Sequence, residues 1–364
     1  MPRDSRLTAV DLFCGAGGLT LGLKRAGFDV VAAVEVDPEI AKTYKANHPK
    51  TRLLIKDIRY VTGQEILASA GLKGTDLVAG CPPCQGFSSL TSKYKKKDPR
   101  NGLLLEMARV IEEVQPRMVM LENVPGLADR GKRILNSFVL KLKSLGYRVT
   151  KDVLQLADYG VPQSRRRFVL LAGKGFEIPL PKPTHSRKGD EKKKLKEWLT
   201  LADIIEGMKT PVTLSQAKKE GGPRRFRWHV VKDLKPITLE RLRAVKPGAS
   251  RYSLPMSLRP KCHANDKKGF PNVYGRLSWR QVPPTITSGC TTPCMGRYGH
   301  PSQLRTISVR EAALIQTFPK SYKFETEFID TACDLVGNAL PPKFAEKAAR
   351  ACIDAFTKKG RLIS

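Results

Sequence analysis

Cys84 lies in the run Gly80-Cys81-Pro82-Pro83-Cys84-Gln85-Gly86-Phe87-Ser88, directly after an apolar, strand-like segment. Two prolines stiffen the backbone ahead of it, and Gly86 leaves the following loop free to move. A cysteine at a strand's carboxyl end, close to a helix N-terminus, can be held as a thiolate, so Cys84 is a candidate nucleophile. The Cys81-x-x-Cys84 spacing leaves two other readings open. Half a zinc site would need a tightly spaced partner pair, and Cys262-His263, Cys290 and Cys294 are widely spaced, so no metal is expected. A redox pair fits poorly with two prolines between the thiols.

Two further groups could act with that cysteine. Glu122-Asn123-Val124 ends the apolar stretch Met118 to Leu121, and a carboxylate there is costly to bury without a task or a partner. It could cap the next helix, pair with an arginine such as Arg165, or, partly protonated, serve as an acid beside a nucleophile. The second group is the turn Asp11-Leu12-Phe13-Cys14-Gly15-Ala16-Gly17-Gly18, whose glycines let backbone approach a ligand where a helix begins. Glu35 follows about 20 residues later. Its carboxylate could accept hydrogen bonds from ribose hydroxyls, and Asp57 could hold an adenine amino group or cap a turn.

These residues need a frame that brings them to one edge. Leu7 to Phe13, Asp29 to Val36, Thr75 to Ala79 and Met118 to Leu121 read as buried strands. Helical stretches run up to Ala26, from Pro38, and over Leu103 to Val114. The βαβα rhythm predicts an α/β fold with an open, mostly parallel sheet, and ligands in such folds sit at the carboxyl ends of the strands. Each motif falls at such an end. From about Gly173 the rhythm breaks at Pro179, Pro181 and Pro183, and an irregular basic region runs to about Pro301. Helical patterning returns at Ser308 to Thr317 and from Pro342 to Phe356. The expected layout is a catalytic and cofactor-binding domain over 1–172, an inserted recognition domain over 173–301, and a segment over 302–364 that returns to the first domain.

The chain has 364 residues and a formal net charge of +31. An enzyme of small molecules has no need of such an excess, whereas a polyphosphate partner attracts it through counterion release. The excess is uneven: residues 175 to 275 carry about +13, including Lys192-Lys193-Lys194, Lys218-Lys219 and Arg224-Arg225. No apolar run approaches a membrane span and no signal-peptide pattern precedes the first strand, so a cytoplasmic, nucleoid-associated protein with reduced thiols is expected.

At this point the chain resembles the cytosine-5 DNA methyltransferase family of bacterial restriction–modification systems. The matching pieces are Phe13-x-Gly15-x-Gly17, Pro83-Cys84-Gln85, Glu122-Asn123-Val124, Gln163-x-Arg165-x-Arg167, Arg310-Glu311-Ala312 and Gly337-Asn338-Ala339-x-Pro341. Six in the family's order, from Leu7 to about Lys347, make the resemblance specific. It implies a Rossmann-like S-adenosylmethionine-dependent domain with a smaller target-recognition domain. It also implies that Cys84 attacks carbon 6 of a flipped cytosine, Glu122 contacts ring nitrogen 3, and Arg165 helps hold Glu122 and the base. Phe13, Gly15, Gly17, Leu19, Glu35, Asp57, Ile58, Pro83 and Asn338 would line the cofactor pocket.

Double-stranded DNA is the expected partner. Gln85, Ser88, Lys93, Arg100, Arg167 and Arg276 are the expected nucleic-acid contacts, and the segment Phe87 to Asn101 has the composition of a mobile lid. A monomer is expected, with a restriction endonuclease for the same site as a candidate companion. Two competitors remain: the same chemistry on tRNA, and a silent DNA-binding module that kept the fold.

Overall fold

The computed structural model describes residues 6–83, 102–263 and 270–363. The chain forms two compact units: 1–159 with 166–184 and 340–364, and 160–165 with 185–339.

The first unit is built on β1 (Thr8–Leu12), α1 (Gly18–Ala26), β2 (Asp29–Glu35), α2 (Pro38–Asn47), β3 (Arg52–Ile55), α3 (Gly63–Ser69) and β4 (Leu77–Gly80). It continues through α4 (Leu103–Val114), β5 (Met118–Asn123), α5 (Lys132–Ser144), β6 (Tyr147–Gln155) and β7 (Arg166–Lys174). The seven strands lie in the order β3-β2-β1-β4-β5-β7-β6. β1 to β5 pair in parallel, and β7 runs antiparallel to both β5 and β6. Every residue of β4 and β5 is buried, as expected of parallel strands covered on both faces. In α4, Leu104, Met107, Ala108, Val110, Ile111 and Val114 are buried, the spacing of one helical face turned to a core. The strand order reverses between β1 and β4, so their carboxyl ends flank the crevice where such sheets take ligands.

The second unit is assembled from short pieces. Two-residue strands pair as β8 (His185–Ser186) with β9 (Lys196–Glu197) and β10 (Val212–Thr213) with β11 (Val230–Val231). The helices are α6 (Ala202–Ile205), α7 (Leu214–Lys219), α8 (Pro236–Ala244), α9 (Val309–Ile315) and α10 (Ile329–Gly337). The expected return to the first domain at residue 302 is corrected: 302–339 belong to the second unit, and the return begins at Leu340. The reason lies in the packing of α9. Its Ser308 cap meets His229 Nδ1 at 2.9 Å and Arg310 N donates to Trp228 O. Buried Trp228 in turn donates Nε1 to Phe324 O.

The last helix, α11 (Pro342–Ile363), lies against α1 in the first unit. A Cβ on Gly22 would come 2.3 Å from Ala345 Cβ and 2.7 Å from Glu346 N. Only glycine lets these helices approach so closely. Among the described residues, no helix is long and apolar enough to cross a membrane.

Candidate active site

The carboxyl end of β1 turns through Phe13, Gly15 and Gly17, with φ of +60°, +53° and +86°. Gly17 N–H donates to Cys14 O at 2.8 Å and Cys14 N–H to Val34 O at 3.0 Å, which fixes the turn against β2. Among the described residues a Cβ on Gly15 would meet nothing within 4 Å, so toward them this face of the loop is open. Leu19 and Ile58 have buried side chains; what they can offer a ligand there is backbone.

Glu35 ends β2, largely buried, and faces that loop. Its Oε2 accepts Gly15 N–H at 2.9 Å, while Oε1 accepts Val36 and Asp37 N–H at 2.9 and 3.0 Å. A carboxylate has about four acceptor positions, so Oε2 keeps capacity for a hydroxyl donor. Burial raises the Glu35 pKa, opposed by these backbone bonds. Val36 beside it is 60% exposed, an apolar surface on the rim. Asp57 follows β3 and is gripped by Arg59, whose Nε lies 3.0 Å from Oδ1 and 3.1 Å from Oδ2. That guanidinium hydrogen bond holds the Asp57 pKa below the usual carboxylate range. Arg59 escaped the sequence reading, because an exposed Asp-x-Arg is no signal by itself.

Behind the loop, Asp11 is fully buried, its Oδ2 accepting the Thr20 hydroxyl at 2.6 Å, and Thr20 meets the Tyr44 hydroxyl at 2.8 Å. Burial, the largest cause, pushes the Asp11 pKa up to about 7. His48 Nε2 lies 3.2 Å from Gly17 O. Burial, with Lys24 nearby, lowers its pKa to about 4, so the ring is neutral at pH 7.

Along the same edge, β4 delivers Cys81, Pro82 and Pro83, and β5 delivers Glu122 and Asn123. Asn123 Nδ2 donates to Pro82 O at 2.9 Å and its Oδ1 accepts Val124 N–H at 2.8 Å, clamping the proline loop to the end of β5. Glu122 is 6% exposed and its Oε1 lies 2.8 Å from Arg167 Nε. Cys81 lies beside Glu122, and burial first, then the charge of Glu122, drives its thiol pKa well above the usual range. Cys81 is therefore a protonated thiol, poorly suited to nucleophilic attack. Cys84, Gln85, Ser88, Lys93 and Arg100, with the segment Phe87 to Asn101, lie outside the described residues.

Two expectations change. Arg167, expected to contact DNA, forms the ion pair with Glu122 that was assigned to Arg165. Arg167 sits on β7, whose Val169 is the register partner of Glu122. Arg165 precedes the strand, lies in the second unit and is 1% exposed. It donates Nη1 to Ile286 O at 2.8 Å, and Nη2 to Gly337 O and Ala339 O at 3.1 and 3.3 Å, bracketing Asn338. Gln163 joins the same clamp through Gln316 Oε1 at 2.6 Å.

Arg276, the second corrected nucleic-acid contact, is buried. Its fork donates to the carbonyls of His300, Leu242 and Pro301. Arg251, Arg305 and Arg310 are likewise turned inward, to carbonyls or to Glu311. The exposed cations of the second unit include Arg187, Lys188, Lys192, Lys193, Lys194, Lys218, Lys219 and Arg225.

The model of the family described as C-5 cytosine-specific DNA methylase matches residues 7–354. The Type II methylase M.HgiDII of Herpetosiphon aurantiacus is 38% identical over 91% of each chain. The Type II methyltransferase M1.HphI of Haemophilus parahaemolyticus is 33% identical over 97% of this chain and 88% of its own. Among solved structures, a prophage-encoded protein of E. coli superposes with a TM-score of 0.73 at 24% identity, covering 96% of this chain and 99% of its own. DNMT2 of Spodoptera frugiperda superposes at 0.60 and 19%, over 95% and 99%; both likenesses bear on the fold alone. With Glu35, Asp57 and Glu122 at the carboxyl ends of strands of one sheet and the family's pattern running through nearly its whole length, the chain belongs to the C-5 cytosine-specific DNA methylases and is a DNA cytosine-5 methyltransferase.

Proposed function

We propose that the protein methylates carbon 5 of cytosine within a defined duplex DNA sequence, using S-adenosylmethionine, base flipping and a transient bond from Cys84 to carbon 6. The observation that carries this reading is the buried Glu122, paired with Arg167 and set beside the Pro82-Pro83 loop that leads into Cys84. The open face at Gly15, the spare acceptor on Glu35, the apolar rim at Val36 and the carboxylate of Asp57 suit an adenosine-bearing group. When bound, that cofactor supplies an electrophilic sulfonium methyl group.

Each residue then has a defined task. Carbon 5 is inside the duplex stack, so the base must leave it to be reached. The Cys84 thiolate adds to carbon 6 while Glu122 gives a proton to ring nitrogen 3, so the electrons of the 5,6 double bond can attack from carbon 5. After carbon 5 has taken the methyl group it gives up its proton to solvent water acting as the base. The double bond re-forms, Cys84 leaves as thiolate, and nitrogen 3 returns its proton to Glu122. Arg167 fixes the rotamer of Glu122 through this cycle and keeps water from taking its place.

The second unit, with its exposed cations, is the reader of the target sequence. Its inward arginines build it and its outward ones meet DNA. The enzyme acts as a monomer in the cytoplasm, with a restriction endonuclease of the same site as companion. One radiolabel assay tests the reading. Tritiated methyl groups should enter duplex DNA and not tRNA, and Cys84→Ser should abolish transfer. Preferential labelling of tRNA, or an active Cys84→Ser enzyme, would overturn it.

A further inference from the structure

Arg109, on α4, makes an unusual set of contacts for a helix residue far in sequence from the site. Its Nη2 donates to Ile58 O at 2.8 Å and to Val61 O at 3.0 Å, carbonyls of the turn that follows Asp57. Nε and Nη1 pair with Glu106 and Glu113 at 2.9 and 2.7 Å, one turn back and one turn forward on the same face of α4. Glu113 completes the bracket, its Oε2 accepting Gly63 N–H. A second observation is steric: a Cβ on Gly63 would lie 2.6 Å from Val114 Cγ2 and 3.0 Å from Glu113 Cβ. The segment from Asp57 to Gly63 is thus drawn onto α4 at both ends, by a guanidinium on its carbonyls and by a glycine where nothing larger fits.

We propose that Arg109 is a positioning residue for the cofactor, holding the Asp57–Ile58 turn in the conformation that receives the adenine end. This rests on the reading of Asp57 and Ile58 as cofactor residues. A turn that visits other conformations binds with an affinity reduced by the fraction that is competent. Arg109 fixes the turn through its backbone carbonyls, so its hold does not use the Asp57 carboxylate. Lysine at position 109 could reach one carbonyl and could not hold both carbonyls and both glutamates, because it lacks the planar fork.

The test is equilibrium binding of S-adenosylmethionine to the full chain without DNA, together with Tm and with kcat at saturating cofactor. Arg109→Lys should weaken binding about tenfold and leave kcat within about twofold, the loss expected when charge-assisted hydrogen bonds to a turn are removed. Asp57→Ala should also weaken binding, and adding Arg109→Lys to it should cost less than about threefold more, because both act through one turn. Glu113→Gln, a milder change for the case in which the lysine variant does not fold, should weaken binding about threefold. An unchanged affinity with a lowered Tm would overturn the proposal, as would a full tenfold effect in the Asp57→Ala background. If Asp57→Ala leaves affinity intact, the cofactor reading of this turn fails and the proposal falls with it; failure of the Arg109 and Glu113 variants alone leaves that reading standing.

Discussion

Arg165 and Arg167 stand two residues apart in one motif and do different work. Arg167 meets the Glu122 carboxylate at 2.8 Å, whereas Arg165 is buried on three carbonyls around Asn338 and Ile286. Arg167→Ala should therefore lower kcat by about a hundredfold or more with little change in Tm, as removal of one group at a reacting centre does. Arg165→Ala should cost about 3 kcal/mol of stability, since it strands buried carbonyls and opens a void. Urea unfolding and single-turnover kinetics on both variants separate the two, and a reversal of the two effects would refute the assignment. The motif spelled out both arginines but not their roles. Alternation along a strand would place both on one face, and nothing local reveals that β7 begins only at Arg166. Cys81 shows the same limit: its spacing from Cys84 was visible, while the effect of Glu122 on its thiol depends on β4 lying next to β5.

At the scale of elements, β1, β2, β4 and β5 were legible because apolar runs ending in glycine or acid mark buried parallel strands. The antiparallel β7 between β5 and β6 was not, because strand order is a property of the whole sheet. The network Asp11–Thr20–Tyr44 ties β1, α1 and α2 together behind the glycine turn that follows β1, and it has a pH signature. Burial lifts the folded-state pKa of Asp11 to about 7 from an ordinary 3.8. Its contribution to stability is complete below the ordinary value and is lost as pH rises through about 7. His48 and His300 act in the opposite sense. Burial lowers each to about 4, so their contribution is present above the ordinary histidine value and is lost as pH falls toward 4. Asp11→Asn should remove the first trend and expose the second. Its unfolding free energy should rise more steeply from pH 5 to pH 7.5 than that of the wild type, and parallel curves would contradict the role given to Asp11.

For the molecule as a whole, charge was the most legible property and the domain boundary among the least. The +31 excess pointed to a polyanion, yet Arg251, Arg276, Arg305 and Arg310 are spent inside the second unit, filling the role that backbone bonds play in regular structure. The short strands and turns of that unit carry no periodicity, so nothing in the sequence announced that α9 and α10 belong to it. With the outward cations on phosphates, DNA affinity should fall roughly a thousandfold between about 50 and 200 mM salt. Replacing Lys192, Lys193 and Lys194 by alanine should flatten the dependence, the slope of log affinity on log salt losing about 0.9 for each phosphate contact removed. A loss below about tenfold in the wild type would show that the charge serves solubility instead.

The central claim is the covalent bond between Cys84 and carbon 6, released only when carbon 5 gives up its proton. Duplex DNA copied with 5-fluorocytosine in place of cytosine blocks that release, because fluorine at carbon 5 cannot depart as a proton does. In the presence of S-adenosylmethionine the wild-type protein should form a DNA adduct that survives denaturation. Cys81→Ala should form it too, and Cys84→Ala should not. A wild-type enzyme that methylates ordinary DNA yet leaves no adduct, or an adduct that persists in Cys84→Ala and vanishes in Cys81→Ala, would contradict the account.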